Sequence, residues 1–298
     1  MKKLSISQAK RITASIALVS SCVFFFNVGH VTAATDLPAN ADLPQNGNIV
    51  GRWYLDEASG TRADYSGNGF TLTDNNTVLA ATGISENNAS ADNAAHFEDS
   101  NSESLSRVDE AELSITGDLS HAFWVKFESF PTGGNQMYFA SKYDATNTRS
   151  WYVRYEEDNG TNYLTFFCSS AGVGGTFGTR VAHTLSSLAT WYHIVVAYDA
   201  SAGTADWYVG GSSVGQATGL QNSIADSNAA FYLGAFGWGP GRFLDGTMQD
   251  HVLWDTKLTS ADALSDYQAY TVASAGAATT PAGRGIIIIF HMDTNRYV

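Results

Sequence analysis

Residues 150–170 read SWYVRYEEDNGTNYLTFFCSS. Side chains alternate along an extended chain, so Trp151, Val153 and Tyr155 share one face while Tyr152 and Arg154 share the other. Asp158, Asn159 and Gly160 follow, residues that tolerate the positive φ of a tight hairpin. The next run, NYLTFFCSS, is again aromatic and strand-like. The stretch therefore predicts two antiparallel strands joined by a tight turn.

The same pattern extends in both directions. Upstream lie GRWYLDE, AAHFED, ESLSRV, HAFWVKFESF and MYFASKYD; downstream lie WYHIVVAYD, ADWYVGGSSV, AAFYLGAF and TMQDHVLWD. YDASAGTADWYV supplies a second hairpin signal, with Gly203 at the left-handed position. About a dozen short strands at this spacing imply an all-β body, either a two-sheet sandwich or a barrel. One helix is expected, over TSADALSDYQAY. Thr259 is its N-cap, Asp262 favours its first turn, and Leu258, Leu264 and Tyr267 are its docking residues.

The totals fit. Charged residues make up only 15% of the 298, while Gly and aromatic residues are plentiful, a composition of strands and turns. The net charge of −13, with no basic stripe, argues against a nucleic-acid partner. The first residues, MKKLSISQAKR, are basic; an apolar run and the small-residue end HVTAA follow. Residues 1–34 therefore read as a signal peptide cleaved near Ala33 or Ala34, which implies export and no membrane insertion once the signal is gone. A retained anchor is the rival reading. Cleavage would leave Cys168 as the one thiol, read as a small buried side chain. Residues 35–48, with two Leu-Pro steps, read as an extended linker. Residues 272–298 read as a linker and an incomplete tail, in which RGIIIIFHMDTNRYV is a strand or an aggregation-prone edge.

Five segments carry a family resemblance. HAFWVKF, WYHIVVAYD, ADWYVGGSSVG, the closing FYLGAF…GRFLDGTMQDHVLWDTKLTSADA and the opening GRWYLDEASGTRADYSGNG resemble, in order and spacing, those of laminin G-like, concanavalin A-like jelly rolls. The resemblance covers most of residues 49–271. It implies an antiparallel two-sheet jelly-roll sandwich with one short C-terminal helix. It leaves activity open, because this fold serves lectins, adhesion modules, spacers and glycoside hydrolases or lyases. Gly210 stands where the family usually has Asp, a benign change in a hairpin turn.

Two sites are expected. RADYSGNGFTLTDN, residues 62–75, is a Gly-rich turn in which Asp64, Ser66 and Asn68 hold alternate oxygen-bearing positions. Calcium favours such oxygens, although the EF-hand reading fails: Asn75 replaces the closing Glu, and strands flank the loop. The resemblance implies a structural calcium between this turn and the closing strand, with Asp64, Asn68 and Asp250 as its residues. The alternative is an Asx-capped turn without metal. The second site is for ligand. Trp238 and Arg242, in the Gly-rich GAFGWGPGRF, and Tyr143, in KYDATNTRSW, suit a sugar, whose CH faces stack on aromatic rings. Trp53, Trp124, Trp191 and Trp254 lie in strand patterns and are expected in the core.

Retaining glycosidases set two carboxyls about 5 Å apart. Glu110 and Glu112 are the nearest imitation, but the resemblance sets them in the lead-in to a strand rather than on a central one; Glu156 and Asp158 lie beside a hairpin turn, where charge is ordinary. His193 reads as a buried histidine holding a backbone group. The combined expectation is a secreted or cell-surface, non-catalytic module for a glycan or extracellular protein. A glycoside hydrolase or lyase and an inert spacer remain open.

Overall fold

The computed structural model describes residues 37–84, 93–144, 148–237 and 242–276, the last six as backbone alone. The signal segment, the tail beyond residue 276 and Trp238 lie outside the described residues.

The strands at 150–170 form as expected. β8 (Thr148–Asp158) pairs with β9 (Thr161–Cys168) from Trp151↔Cys168 to Asp158↔Thr161. Asn159 and Gly160 both take positive φ at the turn, 52° and 80°, which matches a primed hairpin turn and the twist of its strands. Trp151, Val153 and Tyr155 enter the main core, while Tyr152 joins a separate cluster on the opposite face.

Two antiparallel sheets result. One contains β1 (Ile49–Trp53), β3 (Leu79–Thr82), β4 (Asn93–Phe97), β6 (Leu119–Phe127), β11 (Trp191–Asp199), β12 (Thr204–Val209), β13 (Ser212–Thr218) and β15 (Gly246–Trp254). Its order is β13-β12-β11-β6-β15-β4-β3, with β1 also on β15. The other holds β2 (Thr73–Asn75), β5 (Ser104–Arg107), β7 (Gln136–Asp144), β8, β9, β10 (Val181–Ala182) and β14 (Phe231–Leu233), in the order β10-β9-β8-β7-β14-β5-β2. Trp53, Trp151, Trp207, Phe123, Phe139, Phe166 and Phe231 belong to one buried cluster fed by both sheets. This is the two-sheet jelly-roll sandwich.

Helix α1 (Ser260–Gly276) starts at the expected cap. The Thr259 hydroxyl accepts from the Asp262 amide (3.2 Å), and the Asp262 carboxylate accepts from the Thr259 amide (2.9 Å). Each satisfies an amide that a helix start leaves unpaired. The docking stripe differs in part from the expected one. Leu258 is buried and the half-buried Tyr267 ring packs near Trp124 and His193, as expected, but Leu264 is exposed, and Ala263, Asp266 and Tyr270 join the buried face. An apolar count misses Asp266, because its burial depends on a partner far away in the chain.

ADWYVGGSSV forms β12 and β13, with the hairpin turn expected at Gly210 and positive φ at both Gly210 and Gly211. Three further expectations change. The short β2, β3 and β10 fall in segments with no clear alternation. Residues 37–48 dock rather than span: Leu43 is buried, the Pro44 carbonyl accepts from the Trp254 indole (3.1 Å) and Asn40 reaches Arg52. The Leu-Pro steps extend the chain along a surface that takes the leucine. Trp53, Trp124 and Trp254 are buried, but Trp191 is partly exposed beneath the Lys126 ammonium, 5.0 Å from its ring. Cys168 is buried, as expected, and burial pushes its thiol pKa up.

Candidate functional site

The two sheets present different outer faces. On the eight-stranded sheet, β15 bulges between Gln249 and Val252, so Asp250 and His251 together oppose one residue of β6. Asp250 takes a left-handed φ of 45°. Asp250 meets the fully buried Arg52: Nε donates to Oδ1 at 2.9 Å and a terminal nitrogen to Oδ2 at 2.5 Å. The Tyr270 hydroxyl of α1 donates to the same carboxylate at 2.8 Å. Nearby, His193 of β11 meets Asp266 of α1 at 2.9 Å, with both side chains buried. The expected backbone partner of His193 is thus a helix carboxylate. His251 goes inward and touches His121, Nε2 to Nδ1 at 3.2 Å, both fully buried. Burial holds both imidazoles well below their ordinary pKa, His251 at about 3.

The residues expected around calcium are arranged as follows. Asp64 accepts from the amides of Arg52, Ser66 and Phe70 and from the Ser66 hydroxyl, at 2.8–3.1 Å. The Asn68 amide nitrogen donates to the Val50 carbonyl at 2.8 Å. Asp250 holds a guanidinium. Asp64 and Asn68 are bonded to the backbone of β1 and Asp250 to the Arg52 side chain of the same strand, and the two carboxylates face N–H and O–H donors. As arranged, the set does not fit a calcium ion, which asks for six to eight free oxygens. Among the described residues, the metal-capable group that converges is elsewhere: His96, Glu98 and Glu128, with the imidazole 2.7 Å from Glu128 and 3.5 Å from Glu98.

The seven-stranded sheet presents a row set by register. Phe167, Tyr152, Ser141, Tyr232, Ser106 and Thr73 stand side by side on β9, β8, β7, β14, β5 and β2. Tyr152 and Phe167 stack with centroids 4.7 Å apart. At the middle of the row, Ser141 donates to the Ala235 carbonyl (2.9 Å) and accepts from the Gly237 amide (3.3 Å). This pins the loop after β14 across the sheet. Gly237 is required there, since a Cβ would run into the Tyr143 carbonyl and the Tyr232 ring.

The pinned loop divides the face. On one side Phe236 covers Tyr138 (4.5 Å), Tyr143 (4.6 Å) and Tyr152 (5.7 Å), with the Arg242 guanidinium 5.2 Å above its own ring. Tyr143 and Arg242, both expected at the ligand site, are therefore brought to one patch by Phe236. Burial raises the phenol pKa of Tyr138 and Tyr152. On the other side lies a pocket of about 300 Å³. Asn75, Asn76, Ser102 and Ser104 form its polar side; Tyr232, Phe236 and Phe243 form its aromatic side. The Asn75 amide nitrogen donates to the Ser106 hydroxyl at 3.0 Å, which fixes its orientation. The sequence reading missed this pocket because three of its residues follow turns or sit on β2, where nothing alternates. The Tyr232 in FYLGAF was the usable signal.

The candidate acids are engaged. Glu110 is bridged to Arg107, and Glu112 sits in a short 3-10 turn. Glu156 pairs with Arg154 (2.6 Å) and accepts from Thr165, and Arg180 spans Glu156 and Asp158. Among the described residues, no carboxylate lines the pocket.

The comparisons agree with this architecture. Residues 99–263 match the family described as the concanavalin A-like lectin/glucanases superfamily. That is more than half of the chain, so the protein belongs to this family. No curated protein matches in sequence. Among solved structures, domain 4 of AbnA is similar: this is a GH43 extracellular arabinanase from Geobacillus stearothermophilus, solved with arabinotriose. It is 17% identical, covers 74% of this chain and 98% of its own, and has a TM-score of 0.54. The binding domain of Paraclostridial Mosquitocidal Protein 1 gives 13% identity, 75% and 52% coverage and a TM-score of 0.56. Trypanosoma rangeli sialidase gives 13%, 78% and 34%, and 0.51. This chain thus spans about half of the toxin domain and a third of the sialidase. At these identities the likeness shows the fold alone.

Proposed function

We propose that this chain is an exported, non-catalytic binding module that takes the end or edge of an uncharged glycan in the pocket beside Tyr232. The observation that carries this reading is the pocket's lining: amide and hydroxyl groups on one wall, aromatic rings on the other, and no charged side chain among the described residues. Sugars present that same pairing, hydroxyls at the rim and CH faces above and below. The likeness to an arabinanase domain solved with arabinotriose and to a toxin binding domain supports a binding role. Export rests on the basic, apolar and small-residue order of residues 1–34.

A glycan array of neutral and acidic oligosaccharides, followed by calorimetry with the best neutral hit, tests the reading. Saturable binding that weakens at least tenfold in Asn75→Ala, with an unchanged melting temperature, is expected. Binding confined to acidic glycans, or unaffected by Asn75, would count against the pocket. Reducing sugar released from the array's parent polysaccharides would replace the non-catalytic reading with a hydrolase.

A further inference from the structure

The turn around Asp64 and the closing strand at Asp250 both meet β1, and the fully buried Asp250 carboxylate needs a counter-charge there. We infer that Arg52 is that counter-charge: its buried guanidinium does the work of a structural metal, and the corner closes without one.

Alternation on β1 sends Trp53 into the core and Arg52 to the opposite face. There the bulge has turned Asp250 toward it. The contact is a two-pronged fork, Nε and one terminal nitrogen on the two carboxylate oxygens, the geometry in which arginine excels and a point charge does not. The other terminal nitrogen donates to Asn40 at 2.8 Å, while the ring of Tyr54 lies 4.6 Å from the guanidinium carbon. The Arg52 amide donates to Asp64 at 3.1 Å. One residue therefore ties together the docked N-terminal segment, the Gly-rich turn and the closing strand; through Tyr270 on Asp250 it also reaches the helix. These are elements from both ends of the chain, the ones a structural ion would be asked to join.

Two further facts point the same way. The left-handed φ at Asp250 is strained for a residue with a side chain and persists only where its surroundings over-determine it. The guanidinium fork and the Tyr270 hydroxyl supply that constraint. Further, a divalent ion drawn to Asp250 would sit a few ångströms from a buried positive charge that has nowhere to go.

The test uses the full chain. Equilibrium dialysis with calcium alone, and melting in millimolar calcium against chelator, are expected to show no ion held at this corner and no shift in melting temperature. Arg52→Lys keeps the charge but loses the fork, and should melt lower than wild type. Tyr270→Phe removes one contact and should lower melting less. One bound calcium per chain, lost in Asp64→Asn together with a calcium-dependent rise in melting, would overturn the inference. So would an Arg52→Lys variant that melts like wild type. If Asp64→Asn fails to fold, Glu128→Gln decides: one bound calcium and a calcium-dependent rise in melting that both survive removal of the His96–Glu128 group would overturn the inference, and no bound calcium in wild type supports it.

Discussion

The outer faces of the two sheets are built from similar residues and used in opposite ways. On the eight-stranded sheet, polar groups are matched in pairs and covered: Arg52 with Asp250 and Tyr270, His193 with Asp266, all beneath α1 or the N-terminal segment. On the seven-stranded sheet, the described residues include no covering helix. Its middle carries one pinned loop, and beside it a polar and aromatic pocket stays open. Polar groups buried in matched pairs lock elements together, whereas polar groups left facing a cavity are available to a ligand. Substitutions on the first face should therefore change stability, and those on the second should change binding.

The largest effect is expected at Arg52. Arg52→Ala leaves Asp250 buried and unpaired, at a cost of about 3–5 kcal/mol. It should appear as a lower urea midpoint with unchanged slope. Acid comes next. Both core histidines have folded pKa values depressed below the unfolded value of about 6.5. Their neutral state thus contributes stability above pH 6.5, and that contribution is lost as pH falls toward about 3, the folded value for His251. With two protons taken up on unfolding, the slope approaches ~2.7 kcal/mol per pH unit below pH 6. His251→Phe should roughly halve it, as read from urea midpoints across pH. Asp266→Ala strands His193 and should cost about 1–3 kcal/mol, with faster hydrogen exchange in α1.

On the open face the sign reverses. Tyr232→Ala should weaken glycan binding about tenfold, or ~1.4 kcal/mol, with little loss of stability because the ring is only partly buried. Glu110→Gln, which disturbs one half-exposed pair with Arg107, should shift stability by less than ~1 kcal/mol and leave binding unchanged.

The fold was legible because alternation at Trp151–Tyr155 and at the neighbouring runs is a local property, and so are the turns at Asn159–Gly160 and the cap at Thr259. The proposed pocket was not legible. Tyr143 and Arg242, singled out for their loops, meet around Phe236 beside the pocket and do not line it. Asn75 drew notice only as a poor calcium ligand; its meaning comes from β5, about thirty residues on. Asp64 and Asp250 were grouped through a metal, whereas each bonds to Arg52, one to its amide and the other to its guanidinium, which sequence spacing did not reveal. A buried ion pair nearly two hundred residues apart leaves no periodic trace. The helix stripe was right at Leu258 and Tyr267 but missed Asp266 for the same reason, since Asp266 is buried by virtue of His193.

The most direct test is a paired calorimetric titration of the neutral glycan into wild type and Tyr232→Ala, with melting curves recorded on the same samples. The account predicts saturable binding in wild type, a loss of about tenfold in the variant and superimposable melting. Equal affinity in the two proteins, or a weaker affinity accompanied by a collapse in melting temperature, would contradict it.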